Sequence, residues 1–396
     1  MNQTGNNQKN IRTQNMLQAL KIIIFEGPIS RKELAQQMGL SKMSISNIVN
    51  TFLAKGMVKE VASDSDMPAN SGPKPLLLQI ASGVMVAIGL HITEYAIYGQ
   101  LFDVVAGVQI EKKILMEDIH SKANFINNIK LIVDQLMEYG KTRNLHIIGI
   151  GITENHFVNR KEGLVVFKGN RFGIDSEFIT KNLEQDYKVP IYLEQEHMGT
   201  LLTEMAYGVC DINKKLYYLQ ISDEIRGAFT CGYYIQKGCV GLSGMTGHIS
   251  IKYDGPKCSC GNRGCYERYG SIPALLKNSN CSSISELNSH LQNREPTALR
   301  AIETFIQVTS TAITNLVNLY DPEAFVITGK MLQLDHSVFK KIEYLVNNNM
   351  FFRNQRSISI IPTKLTEDDY KKGSAVLVFY RIVSDKDYIS SICDVD

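Results

Sequence analysis

ISRKELAQQMGLSKMSISNIVNTFLAKGMV, residues 29 to 58, carries the punctuation of two helices joined by a tight turn. Ser30 stands three residues ahead of Glu33, the spacing at which a hydroxyl and a carboxylate cap each other's free backbone N–H groups at a helix start. The helix opened there runs to about Met38, and Gly39 supplies a left-handed turn that costs glycine nothing. Ser41 caps a second helix through about Lys55, with Ile45, Ile48, Val49, Phe52 and Leu53 facing inward, and Gly56 ends it. Upstream, Ile11, Met16, Leu17, Leu20, Ile23 and Ile24 recur at helical spacing and predict a helix over 11–25 that Gly27-Pro28 stops. Downstream, 57–61 and 76–80 read as short strands joined by the polar stretch 63–75. Three helices followed by a two-stranded wing make a winged helix-turn-helix, expected over residues 1–81.

The DNA major groove admits a helix and exposes distinguishable base edges. The second helix of the pair, capped by Ser41, offers Lys42, Met43, Ser44, Ser46, Asn47 and Asn50, short polar groups and one cation suited to bases and phosphates. Arg31 and Lys32 open the preceding helix and are placed to grip phosphates. In the wing, Gly72-Pro73-Lys74-Pro75 holds Lys74 on a stiff tip directed at the minor groove. Duplex DNA is the expected partner. The alternative use of the same surface is protein docking.

Charge agrees with this. The 396 residues carry a net charge of +2, but the first 75 hold an excess of four positive charges and the remainder an excess of two negative ones. The hydrophobic share of 44% and charged share of 21% are ordinary for globular proteins. No apolar run reaches the roughly 18 residues of a membrane span, and the polar start MNQTGNNQKNIRTQN lacks the apolar segment of a secretory signal. The reading is a cytoplasmic protein without membrane association.

Beyond Gly83 strands and helices alternate. Strands are expected at 84–90, 95–102 and 108–115, then a helix over 123–139 and a strand at 146–152. The same order returns as strands at 216–221, 227–235 and 248–253, a helix over 297–319 and a strand at 324–328. Three antiparallel strands, a helix and a parallel strand, stated twice, describe a two-lobed actin-like α/β body.

Eight cysteines in such a chain argue against a disulfide framework. Three of them cluster as C-x-C-x4-C at Cys258, Cys260 and Cys265, close behind Gly247-His248, with glycines at 255, 261 and 264 that let the loop fold on itself. Three thiolates and an imidazole fill a tetrahedral shell, so a structural zinc held by His248, Cys258, Cys260 and Cys265 is expected.

Gly247-His248 followed by CSCGNRGCYERYGS at 258–271 resembles the signature of the ROK family, which unites actin-like sugar kinases with repressors of the xylose and N-acetylglucosamine type that add a winged helix. The resemblance covers nearly the whole chain. It implies a ribonuclease H-like first lobe over 82–190, completed by a helix at 371–384, a second lobe over 191–370 carrying the zinc loop, and a homodimer or homotetramer. It also implies a sugar or sugar-phosphate effector at Glu196, His248 and Glu267.

The kinase parts of the resemblance are broken. Where family kinases have the phosphate loop D-x-G-G-T, this chain has His91-Ile92-Thr93-Glu94-Tyr95, which lacks both glycines and adds a carboxylate repelling phosphate. Later glycine motifs are replaced by Thr153-Glu154-Asn155 and reduced to Thr328-Gly329, and the pair bearing the family's general base becomes Gln195-Glu196. The glutamate of Gly-Glu-x-Gly-His is Met245, a thioether that accepts no strong hydroxyl hydrogen bond. The sequence therefore reads as a repressor of carbohydrate-related genes and no enzyme. A non-sugar or protein effector and an active sugar kinase are the alternatives.

Overall fold

The computed structural model describes residues 3–62, 76–154, 157–158, 165–166, 174, 176–209, 214–239 and 243–393. The expected wing tip with Lys74, and Asn155, lie outside the described residues.

The head is built from α1 (Gln3–Glu26), β1 (Ile29–Ser30), α2 (Arg31–Met38), α3 (Lys42–Ala54), β2 (Val58–Ala62) and β3 (Leu76–Ile80). Ser30 Oγ accepts from the Glu33 backbone N–H at 3.2 Å, and Glu33 Oε2 accepts from that of Ser30 at 2.9 Å. Gly39 takes the left-handed φ of 62° that closes α2, and Ser41 Oγ accepts from Ser44 N to open α3. Leu34, Ile45, Val49 and Phe52 are fully buried beneath the pair. Two features differ from expectation. The first helix begins at Gln3, not Ile11, because its polar first turns give no hydrophobic period to read. A third strand, β1, pairs with β3 in the order β1-β3-β2, and its two residues are too few to show alternation.

The chain divides into two compact units, one comprising Met1–Val158, Glu162–Ala206 and Asp368–Asp396, the other Tyr207–Glu367. In the first, β4 (Val86–Ile92), β5 (Ala96–Asp103) and β6 (Gly107–Leu115) form a meander, α4 (Lys122–Thr142) crosses, and β7 (Ile147–Glu154) pairs parallel to β4. The small ribbon of β8 (Phe157–Val158) and β9 (Val165–Val166), then α5 (Ser176–Asp186), lead to β10 (Ile191–Gln195), which is parallel to β7, and to α6 (Glu196–Tyr207). Strand order is β10-β7-β4-β5-β6, the ribonuclease H order. Ile88, Leu90, Ile150 and Ile152 pack with Ile129 and Leu136 of α4 and Leu183 of α5 on one face.

In the second unit, β11 (Lys215–Ile221), β12 (Ile225–Cys231) and β13 (Tyr234–Ile235) form the meander. Helices α7 (Glu267–Gly270), α8 (Ile272–Ser279), α9 (Ile284–Gln292) and α10 (Pro296–Tyr320) precede β14 (Ala324–Thr328), and α11 (His336–Asn349) precedes β15 (Ser359–Pro362). The order β13-β12-β11-β14-β15 repeats that of the first sheet. The expected strand 227–235 is a hairpin, and 248–253 holds no strand: a short 3-10 turn at Thr246–His248 and an isolated Ser250–Cys265 bridge stand there, because the segment is folded into the cysteine-bearing loop.

After α12 (Glu367–Tyr370), the chain returns to the first unit as α13 (Gly373–Ile382) and α14 (Lys386–Cys393). Helix α13 lies against β4 and β7, and α14 lies against α1. Lys21 of α1 stands 5.5 Å from the ring centroid of Tyr380, and burial lowers its pKa to about 8. Because β10 pairs along its length with β7, the first lobe continues through α6, and the expected boundary at 190 moves to Ala206. Periodicity marks a strand without saying which sheet it joins. Among the described residues no helix is long and apolar enough to cross a membrane.

Candidate DNA-reading, metal and effector sites

On α3 the side chains of Lys42, Met43, Ser44, Asn47 and Asn50 are exposed and Ser46 is half-buried, while Ile45, Ile48 and Val49 face inward. Met43 is 76% exposed, an outward apolar group suited to a thymine methyl. Ser41 is exposed at the start of the helix and Lys32 on α2. Arg31 is engaged within the head. Its guanidinium lies 2.9 Å from Glu60 Oε1 and donates from both terminal nitrogens to Asn50 Oδ1 at 3.2 Å, tying α2, α3 and β2 together. That clasp was not legible in the sequence, since Arg31 and Glu60 lie far apart in the chain.

The four expected metal ligands converge. Cys258 Sγ lies 3.6 Å from His248 Nδ1, Cys260 Sγ lies 3.6 Å from Cys265 Sγ, and all four ligand atoms fall within 4.8 Å of one another. A tetrahedral ion with metal–sulfur bonds of about 2.3 Å spaces its ligands about 3.8 Å apart, so the donor set fits a metal ion. The loop reaches this shape through backbone bonds from Cys258 N to Asn262 O (2.8 Å) and Gly264 N to Pro256 O (3.0 Å). Gly264 has φ 63°, and a Cβ there would lie 1.6 Å from Lys252 O. Tyr266, fully buried, anchors the loop by donating to Thr309 Oγ1 of α10 at 3.1 Å. Without a metal, burial raises Cys258, but bonds from Cys260, Cys265 and His248 outweigh it and bring its pKa to about 7. Burial and the neighbouring sulfurs push Cys265 up to about 12.

The candidate effector residues divide between the units. His248 and Glu267 belong to the second, where Glu267 Oε2 accepts from Ile225 N at 3.1 Å. Glu196 belongs to the first and opens α6, its Oε1 3.8 Å from His91 Nε2. The turn after β4 is closed to anions: Thr93 Oγ1 accepts from both Tyr95 N (3.2 Å) and Ala96 N (3.0 Å), the backbone donors a phosphate would need.

His91, noted in the sequence only as a departure from the kinase loop, is the residue sequence reasoning missed. It is 8% exposed, and its Nδ1 lies 3.0 Å from Thr153 Oγ1. Burial, assisted by the Lys371 charge, lowers its pKa to about 4. The folded imidazole is therefore neutral, whereas the unfolded one binds a proton below about pH 6.5. Stability from this group is complete above that pH and lost as pH falls toward 4. Between pH 7 and 5 the loss should reach about 2 kcal/mol, and urea unfolding of His91→Asn should show a correspondingly flatter pH dependence. Parallel pH profiles for the two proteins would refute this.

The xylose repressor of Bacillus subtilis strain 168 is 26% identical to this chain over 368 residues, 91% of this chain and 93% of that protein. The DNA-binding transcriptional dual regulator NagC of Escherichia coli strain K12 is 20% identical over 369 residues, 90% of each. The solved structure of a ROK family transcriptional regulator, a homolog of the E. coli MLC protein, superposes with a TM-score of 0.77 at 18% identity, covering 97% of this chain and 99% of that one. The ROK hexokinase of Thermus thermophilus superposes with a TM-score of 0.68 at 18% identity, covering 76% of this chain and 100% of that one. Both structures share the fold, the two-lobed actin-like body read from the repeated strand order. A sequence model of the ROK family matches residues 86–380, so this chain belongs to the ROK family.

Proposed function

We propose that this protein is a sugar-responsive transcriptional repressor of carbohydrate-related genes. The observation that carries the reading is the exposed polar face of α3, presented by two capped helices whose inner faces are fully packed. Relatives named as xylose and N-acetylglucosamine repressors along 90% or more of the chain support it. In this reading Lys42, Ser44, Ser46, Asn47 and Asn50 meet base edges and phosphates, with Ser41 setting the start of the helix. Lys32 and Arg31 meet phosphates, Arg31 and Asn50 by exchanging their mutual bond, and Lys74 serves the wing. Reading a two-fold operator calls for a homodimer or a pair of dimers. The site of action is the cytoplasm.

Zinc is the metal we assign to His248, Cys258, Cys260 and Cys265. A shell of three thiolates and an imidazole leaves no open position and supplies folding energy rather than chemistry. The effector residues are Glu196, His248 and Glu267, and the chain phosphorylates no sugar. Thr93's capture of two turn N–H groups supports that last point. Direct assay of hexoses with ATP should give no phosphoryl transfer, and turnover by the purified protein would reverse the assignment.

Selection of genomic fragments by the purified protein, followed by titration of the recovered duplex, tests the central reading. One fragment class should bind in the nanomolar range at physiological salt and be released or tightened by a sugar; recovery of no duplex would overturn it. Lys42→Ala should weaken all duplexes and reduce the salt slope by about one unit, whereas a loss confined to one base position would reassign Lys42 to base reading.

A further inference from the structure

Strand β3 pairs on one side with β1 and on the other with β2, and Leu78 stands opposite both Ile29 and Glu60. This register brings Glu60 to the start of α2, where the Ser30–Glu33 cap makes Arg31 the first helical residue. Asn50 reaches the same point from the exposed face of α3. The side chains of Arg31 and Glu60 are 32% and 29% exposed, so the clasp lies at the surface, within reach of a duplex.

A guanidinium has two edges that can take a pair of phosphate oxygens: Nε with one terminal nitrogen, and the two terminal nitrogens together. At the first edge of Arg31, Nε donates to Glu60 Oε1 at 3.1 Å and Nη2 lies 2.9 Å from the same oxygen. At the second, Nη1 and Nη2 both donate to Asn50 Oδ1 at 3.2 Å. Both edges are filled, and a paired grip on a phosphate requires one partner to leave. The partners are unequal. Glu60 is a carboxylate held by the shorter contacts and Asn50 a neutral amide held by the longer ones, so Asn50 is the one displaced. Asn50 in turn reads adenine by accepting and donating at once, which its oxygen cannot do while both terminal nitrogens of Arg31 hold it. Over a matching base the amide regains its bonds; over a mismatched one it finds none and stays on Arg31.

We propose that Arg31 couples base reading to backbone gripping: Asn50 closes the guanidinium edge that a phosphate needs and yields it only when a base takes the amide, while Glu60 keeps the other edge shut. The inference rests on the DNA-binding reading above, and makes Asn50 and Glu60 determinants of specificity through Arg31.

Salt titrations of duplex binding by the full-length protein test it, with the duplex recovered by genomic selection and a scrambled duplex of the same length and composition. Asn50→Ala should weaken the recovered duplex about tenfold, through the lost base contact, and yet bind the scrambled one with a salt slope steeper by about one unit per head, because Arg31 is now free to grip a phosphate on any sequence. Lowering salt from roughly 200 to 50 mM should then tighten that complex about threefold more per head than it tightens the parent's. Glu60→Gln should steepen the scrambled slope likewise while Asn50 is still present, and leave the slope on the recovered duplex as it was. Arg31→Ala, combined with either substitution, should abolish the added slope. A scrambled slope unchanged in both Asn50→Ala and Glu60→Gln overturns the inference and leaves the DNA-binding reading standing, and so does an added slope that survives Arg31→Ala. A parent that binds neither duplex overturns that reading and this inference with it.

Discussion

Gly151→Ala is expected to lose at least about 3 kcal/mol of folding stability, and Gly151→Val to yield no soluble protein. A Cβ built on Gly151 would lie 1.8 Å from the carbonyl oxygen of Ser374, a backbone atom of α13 that no rotamer change can move. A Cβ on the neighbouring Gly89 would lie 2.4 Å from Ser374 Oγ, and across the same layer a Cβ on Gly373 would meet Gly199 O at 2.3 Å. Helix α13 therefore approaches the sheet at backbone distance, and one methyl group must lift the whole helix off β4 and β7. Such lifting opens voids along Ala375 and Val378, both fully buried, in addition to the direct clash. Thermal unfolding should show a midpoint about 10 °C below that of the parent. Gly107→Ala is the matched control: φ is 75° but space is open, so only the left-handed penalty of about 1 kcal/mol applies. Equal stability of Gly151→Ala and the parent would show that α13 is not held at this distance.

Cys265→Ser should abolish stoichiometric metal and cost more than about 3 kcal/mol. Cys265 is fully buried, and a serine hydroxyl in its place neither ionises at neutral pH nor makes a strong bond to zinc. The purified parent should carry about one zinc per chain by elemental analysis, and the variant none. The damage should stay local at first. Residues 250–268 contain no regular strand, so without the ion their order depends on the few backbone bonds and the Tyr266 anchor, and limited proteolysis should cut there. Cys281→Ser separates the metal from general loss of a buried thiol: Cys281 is 9% exposed, stands outside the cluster, and its replacement should leave the zinc in place. A metal-free parent that unfolds at the same temperature with and without added zinc would remove the ion from the structure.

The caps of α2 and α3 were legible because capping acts over three residues, and Ser30, Glu33, Gly39 and Ser41 carry their partners with them. The metal cluster was legible for a related reason, since all four ligands fall within one short segment whose residue types have few other uses together. The repeated strand order was visible from periodicity, but β10 was assigned to the wrong lobe, and the expected strand at 248–253 gave way to the cysteine-bearing loop. What stayed hidden depends on residues brought together from distant segments. His91 acquires its partners only when β4, β7 and α6 meet, and Arg31 meets Glu60 only once the head has closed. Local pattern cannot show a contact whose two halves are set by the fold.

The packing of α1 against α14 also has a consequence for how the chain is made. Synthesis proceeds from the amino terminus at roughly 5–20 residues per second, so the first helix emerges well before the helix that covers it. The seat for α13 on β4 and β7 is likewise left bare until after all of Tyr207–Glu367 has been translated. A nascent chain thus carries a finished helix-turn-helix beside an uncovered glycine-floored face throughout the interval in which the second unit folds. A ribosome stalled between residues 207 and 373 would release a chain whose head is complete and whose first lobe cannot close, the kind of product that quality-control proteases recognise by its exposed face.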